Sequence, residues 1–230
     1  MSFIECKNVS KTYANNQVAL NDLNLSIKRG EFVYIIGPSG SGKSTILNLM
    51  MLMLRPDSGQ IIIDGRDITT LSPEEVPYYR RSYGIISPLV PLMRDYNVYQ
   101  NVALPLNISH RSSKEIRMGV EMALGSVGMK DKMHLEIDEL SGGEQLKVSI
   151  ARAIITDPAI LIADEPTANL GIEDAWDILS LLEHINHSGT TVIMATHSKK
   201  LVDITRRRVV KLGKGTVISD KKRGTYDVSD

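Results

Sequence analysis

Residues 33–45 read VYIIGPSGSGKST, a short apolar run that ends in the pattern G-x4-G-K-[ST]. Few segments restrict a fold more. The glycines at 37, 40 and 42 free the backbone to curl, so that successive N–H groups and the positive end of the following helix face one anion. Such a loop sits between a strand and a helix, and its ligand is a nucleotide. On this reading Gly37, Pro38, Ser39, Gly40, Ser41, Gly42, Lys43, Ser44 and Thr45 surround the phosphates of a nucleotide. Lys43 reaches the β- and γ-phosphates, and the Ser44 hydroxyl ligates Mg²⁺.

Apolar patterning predicts strands over 3–9, 18–27 and 32–36, a helix over 44–54, and a strand over 61–63 that enters a turn at Asp64-Gly65. Met50, Met51 and Met53 read as core filler on that first helix. From about Pro88 the composition shifts to helix formers, with helices expected over 113–127 and 142–155. Strands over 160–163 and 191–195 then flank an amphipathic helix over 173–186. This alternation predicts an α/β fold: a parallel sheet with crossover helices. The chain is expected to be one domain, a nucleotide-binding core of about 1–87 and 156–230 interrupted by a helical subdomain of about 88–155.

Lys and Arg total 27 against 27 Asp and Glu, so no net field points to nucleic acid. Cys6 is the single cysteine; it forms no intramolecular disulfide and reads as core beside Ile4. The start, MSFIECKNVS, lacks the pattern of a signal peptide. The densest apolar run, Ile46–Leu54, holds Asn48 and falls well short of the ~20 residues that span a bilayer. No transmembrane segment is expected.

Two further segments carry chemistry. In Ile160-Leu161-Ile162-Ala163-Asp164-Glu165-Pro166 a buried strand ends in two carboxylates. Asp164 is placed to act at the Ser44-bound Mg²⁺, and Glu165 to polarise the water that attacks the γ-phosphate. Leu140-Ser141-Gly142-Gly143-Glu144 has the spacing of a capping box, yet a cap does not need two glycines that cost about 1 kcal/mol each in a helix. A plain cap and a second phosphate site are both open here. His184 and His187, one turn apart, read as a solvated helix end rather than a metal pair.

LSGGE resembles the signature sequence of ABC-type ATPases, at the family's distance from GPSGSGKST and ILIADEP. By this resemblance His197, in ATHS, contacts the γ-phosphate and Tyr13 stacks on adenine. The likeness extends to the FtsE subfamily of cell-division ABC ATPases through EEVPYYRRSYG at 74–84, VYQNVALPL at 98–106, WDILSLLEHINHSGTTVIMATH at 176–197 and RRRVVKLGKGTVISD at 206–220. It implies a P-loop NTPase fold, the ABC nucleotide-binding domain, with an amino-terminal antiparallel β region. It also implies a head-to-tail dimer around two ATP molecules, in which Ser141, Gly142, Gly143 and Glu144 of one copy close over nucleotide held by the other. The implied partner is an FtsX-like integral membrane protein, with other division proteins nearby. The ATPase would lie peripherally at the cytoplasmic face of the cell membrane and control cell-wall (peptidoglycan) hydrolases outside.

Two positions depart from the family pattern. Pro88 stands where the family carries a glutamine that touches Mg²⁺ or the attacking water, and proline offers neither amide side chain nor N–H. Gly171, in Asn169-Leu170-Gly171, replaces an aspartate of a loop that crosses the dimer interface; Glu173 or Asp174 takes over only if that loop bends differently. These departures favour weak hydrolysis and motivate one alternative, an ATP-dependent structural switch with very slow turnover. A second alternative keeps the enzyme and changes the partner: the ATPase of a related ABC exporter or lipoprotein-release system.

Overall fold

The computed structural model describes residues 2–226. Two sheets form. β1 (Ile4–Thr12), β2 (Val18–Ile27), β4 (Ser58–Ile63) and β5 (Arg66–Asp67) make an antiparallel sheet in the order β2-β1-β4-β5. The second sheet contains β3 (Phe32–Ile36), β6 (Tyr83–Ile86), β7 (Ile160–Asp164), β8 (Thr191–Ala195), β9 (Arg208–Gly213) and β10 (Thr216–Lys221), in the order β10-β9-β3-β8-β7-β6. Its five strands from β9 to β6 run parallel, and β10 is antiparallel at the edge.

Strand periodicity explains the two layers of core. Val33, Ile35, Ile160, Ile162 and Ile193 pack on one face with the antiparallel sheet and helix α1 (Lys43–Met50). Tyr34, Leu161, Ala163, Val192 and Met194 pack on the other with the remaining helices. A parallel strand covered on both sides must be apolar throughout, which is why these runs lack polar alternation.

Between β6 and β7 the chain is helical: α3 (Val98–Ile108), α4 (Ser113–Ser126) and α5 (Gly142–Ile154), preceded by the short α2 (Val76–Arg80) and followed after β7 by α6 (Ile172–His187) and α7 (Lys199–Thr205). Asn97, Ser112 and Ser141 each close a reciprocal capping box at the start of α3, α4 and α5. Buried Asn101 ties the approach to α3 together, accepting from the Met93 N–H and donating to the carbonyls of Met93, Tyr96 and Asn97.

The first helix is shorter than its apolar run. It stops at Met50, and Leu52 adopts a left-handed backbone at φ 53°. The tertiary fold ends it: the Tyr79 hydroxyl donates to the Met50 carbonyl, and the Arg80 guanidinium donates to those of Met51 and Leu52. Met50 and Met51 are buried as core. Two strands, β9 and β10, lie where charged residues hid the pattern. Arg206 caps α7 in a left-handed conformation, Arg207 pairs with Glu183, and Arg208 begins β9 while pairing with Glu31 and Asp220.

Cys6 is fully enclosed between the sheets, and burial pushes its thiol up to about 12. The thiolate is the reactive form. Alkylation at pH 8 is therefore expected to occur only at the rate of unfolding; prompt labelling of the native protein would contradict this packing.

Candidate functional site

The carboxyl ends of β3, β7 and β8 meet at one edge of the sheet, the place where open α/β sheets bind ligands. From β3 the chain enters Gly37–Gly42 with positive φ at Gly37 (147°), Gly40 (77°) and Gly42 (103°). A Cβ at Gly37 would stand 2.4 Å from the Leu212 carbonyl oxygen, and one at Gly42 2.6 Å from that of Ala19. Glycine is therefore required by both conformation and space. Gly42→Ala is expected to cost about 1–3 kcal/mol in a denaturant melt; unchanged stability would mean that the loop relaxes freely.

Lys43 opens α1 with its ammonium turned back into the loop, donating to the carbonyls of Gly37 (2.9 Å) and Pro38 (3.1 Å). Burial pushes its pKa down, and the charges of Glu165 and Asp164 oppose that shift. At the next residue the Ser44 hydroxyl lies 3.2 Å from Asp164 Oδ1. Burial raises the Asp164 carboxyl, while Ser44, Lys43 and His197 draw it back. The Tyr13 hydroxyl shares a hydrogen bond of 3.0 Å with Thr45 Oγ1, which fixes the ring beside the loop.

Glu165 follows Asp164 with a left-handed backbone, φ 50°, and its N–H donates to the Ala195 carbonyl across the strand pair. A non-glycine residue held there costs free energy that the surrounding structure must supply. The result is a side chain turned toward β8. Its Oε2 accepts from the His197 N–H at 3.1 Å, and its Oε1 lies 3.2 Å from His197 Nε2 without hydrogen-bond alignment. Oε1 is thus a buried carboxylate oxygen lacking a hydrogen-bond partner. The Ser41 hydroxyl is buried and unpartnered in the same way within the loop.

These features fit a nucleotide and its metal. The cradle has no room for a Cβ at Gly37 or Gly42, an ammonium lies among carbonyls, and Ser41 Oγ in the loop and Glu165 Oε1 after β7 are buried without hydrogen-bond partners. A hydroxyl beside a carboxylate is a donor set suited to a hard cation such as Mg²⁺.

Ser141, Gly142, Gly143 and Glu144 lie elsewhere on the chain. Ser141 caps α5, and the Glu144 carboxylate accepts from Lys132 and from the Ser141 N–H, which hold it below the usual range. Among the described residues no hydrogen bond or ion pair joins this segment to Gly37–Thr45. Gly143 packs against the Asp174 carboxylate, 3.3–3.5 Å from where a Cβ would be. Gly171 caps α6 without a side-chain bond, and Asp174 in the first turn of that helix is directed at α5 of its own chain.

Two side chains on α5 matter that the sequence reading passed over. Gln145 Nε2 donates to the carbonyls of Ile137 and Leu140, bracing the segment that leads into Ser141. Arg152 donates to the carbonyls of Pro91 (2.9 Å) and Val90 (2.5 Å). The signal for Arg152 is a charge inside the apolar run Ile150-Ala151-Arg152-Ala153-Ile154.

The family profile described as ABC transporter matches residues 20–168. A relative from Bacillus subtilis (strain 168), "Cell division ATP-binding protein FtsE", is 41% identical over 227 residues, covering 99% of this chain and 100% of its own length. Among solved structures, the dimeric ABC transporter cassette MJ0796 is 34% identical with a TM-score of 0.87, covering 97% of this chain and 100% of that one. The same cassette in a post-hydrolysis state, bound to ADP and Pi, superposes equally well.

Proposed function

We propose a function from one premise: the chain belongs to the ABC transporter family, in its branch of FtsE-type cell-division ATP-binding proteins. It is an ATP-binding ATPase subunit. In our reading the loop Gly37–Thr45 holds the phosphates of ATP while Tyr13 stacks on adenine. Ser44 and Asp164 hold Mg²⁺, which when bound neutralises charge on the β- and γ-phosphates.

Hydrolysis then rests on the chain's own groups. Glu165 Oε1 accepts a proton from the attacking water as its oxygen bonds to the γ-phosphorus. The bond from that phosphorus to the β–γ bridging oxygen breaks, leaving ADP and phosphate. Lys43 and the loop N–H groups stabilise charge as it moves onto the leaving oxygen. His197 orients Glu165 through its backbone N–H and contacts the γ-phosphate with its ring. The single observation that carries hydrolysis over a slow structural switch is Glu165 Oε1: buried, without a hydrogen-bond partner, and beside the ring of His197.

Since the Ser141–Glu144 segment does not reach its own loop, it serves the loop of a second copy, giving an ATP-dependent head-to-tail dimer. The helical segment 88–155 then moves as a lobe against the core. A groove of about 220 Å³ runs along that division, with Arg80 and Arg81 on one side and Val90, Leu104, Pro105 and Ile108 on the other. A partner seated there senses the relative position of the two parts. Among the described residues no helix is long and apolar enough to cross a membrane, so the membrane-spanning part is assigned to an FtsX-like partner. ATP-driven motion would pass through it to control cell-wall hydrolases.

Affinity purification of the full chain from detergent-solubilised membranes tests this assignment. Recovery of an FtsX-like protein is expected, with more retained in Mg-ATP. Stoichiometric recovery of a lipoprotein-release permease instead would overturn the assigned partner.

A further inference from the structure

Pro88 removes the glutamine contact that should tie the segment after β6 to the nucleotide, yet this segment is held in place by another group. β6 pairs with β7 next to the acids, Ile86 opposite Ala163. Beyond it, Leu89 and Val90 donate only to Ser87, which is local. Among the described residues, Arg152 supplies the only side-chain hydrogen bonds that join residues 88–92 to another element, through the carbonyls of Val90 and Pro91. Its guanidinium is buried, and it points from α5, the helix whose first turn carries Gly142 and Gly143.

We propose that Arg152 is a positioning residue that couples the signature helix to the segment 87–92, so that closure over nucleotide moves this segment without a glutamine. This rests on the nucleotide reading above. A planar guanidinium can direct donors at two neighbouring carbonyls at once, which an ammonium of lysine does not reproduce. Helix and segment therefore shift as one body. Val90 and Arg152 both line the groove between lobe and core, so the shift arrives where a partner would sense it. Pro88 is a change of route rather than a break.

The test uses the full chain carrying Glu165→Gln, to hold ATP unhydrolysed, and Leu89→Cys. Leu89 is 61% exposed while Cys6 is buried, so a spin label goes to position 89. Mg-ATP is expected to change the label's mobility, and adding Arg152→Lys is expected to abolish that response while the ATP-induced melting shift persists. Arg152→Gln should do the same, which guards against one variant misfolding. With Glu165 restored, Arg152→Lys should lower kcat by up to about 10²-fold, the effect of a small misplacement, and leave the ATP dissociation constant unchanged.

Hydrogen exchange on the chain with Arg152 intact gives an independent measure. Amides in 87–92 and 142–154 should become protected together when ATP is added. A full label response in both Arg152 variants, or protection of α5 alone, overturns the coupling. Absence of any melting shift with Arg152 intact would instead sink the nucleotide reading, and the coupling with it.

Discussion

Glu165→Gln is expected to lower ATP turnover by about 10²–10⁴-fold, the usual worth of a positioned general base, while ATP binding is retained. The amide keeps the shape of the side chain and an oxygen to accept from the His197 N–H, but it cannot take the proton of water. The structure makes this loss specific. Oε1 has no hydrogen-bond partner to lose, only its 3.2 Å contact with the half-exposed ring of His197, so the folded state should be little affected. Steady-state phosphate release and ATP binding, measured side by side, check it. Equal, slow hydrolysis by both proteins would support the structural switch and remove Glu165 as base.

Lys43→Ala should act on binding instead. At ~100 times its dissociation constant ATP stabilises a binding-competent protein by about 2.7 kcal/mol, seen as a rise in Tm. The variant should lose most of this at the same ATP concentration, because a charge-assisted contact to phosphate is worth about 1.5–3 kcal/mol. Its own stability without nucleotide should hold or rise. The Lys43 ammonium is buried and donates to the carbonyls of Gly37 and Pro38, and burial disfavours its charge more than Glu165 and Asp164 favour it. A full ATP-induced shift in Lys43→Ala would mean that this loop is not where the phosphates bind.

The parts of the site legible in the sequence are those fixed by short-range pattern. The strands over 18–27 and 32–36 were bounded correctly, since burial on one or both faces writes itself directly into the residue order. Ser44 and Asp164, 120 positions apart, meet at 3.2 Å because Asp164 ends β7 while the loop after β3 brings Ser44, at the start of α1, to the same edge of the parallel sheet. What the sequence hid depends on distant partners. Helix α1 was expected to reach Leu54 but ends at Met50, since Tyr79 and Arg80 take its last carbonyls. β9 escaped notice because Arg206, Arg207 and Arg208 mask the buried pair Val209 and Val210. The left-handed backbone of Glu165 has no local signature at all: glutamate before proline gives no reason to expect φ 50°. Arg152 was marked only by its charge inside an apolar run; that it would meet the carbonyls of Val90 and Pro91, 62 and 61 positions earlier, was not legible.

The most direct measurement of the shared site is the mass of the Glu165→Gln protein in solution, with and without Mg-ATP. Sedimentation should give a monomer near 25.5 kDa without nucleotide and a dimer of twice that mass with it. Adding Gly142→Asp should abolish the dimer, because it places a carboxylate where a bare backbone must approach phosphate. A protein that binds ATP yet stays monomeric at every concentration would show that Ser141–Glu144 does not complete the site of a second copy.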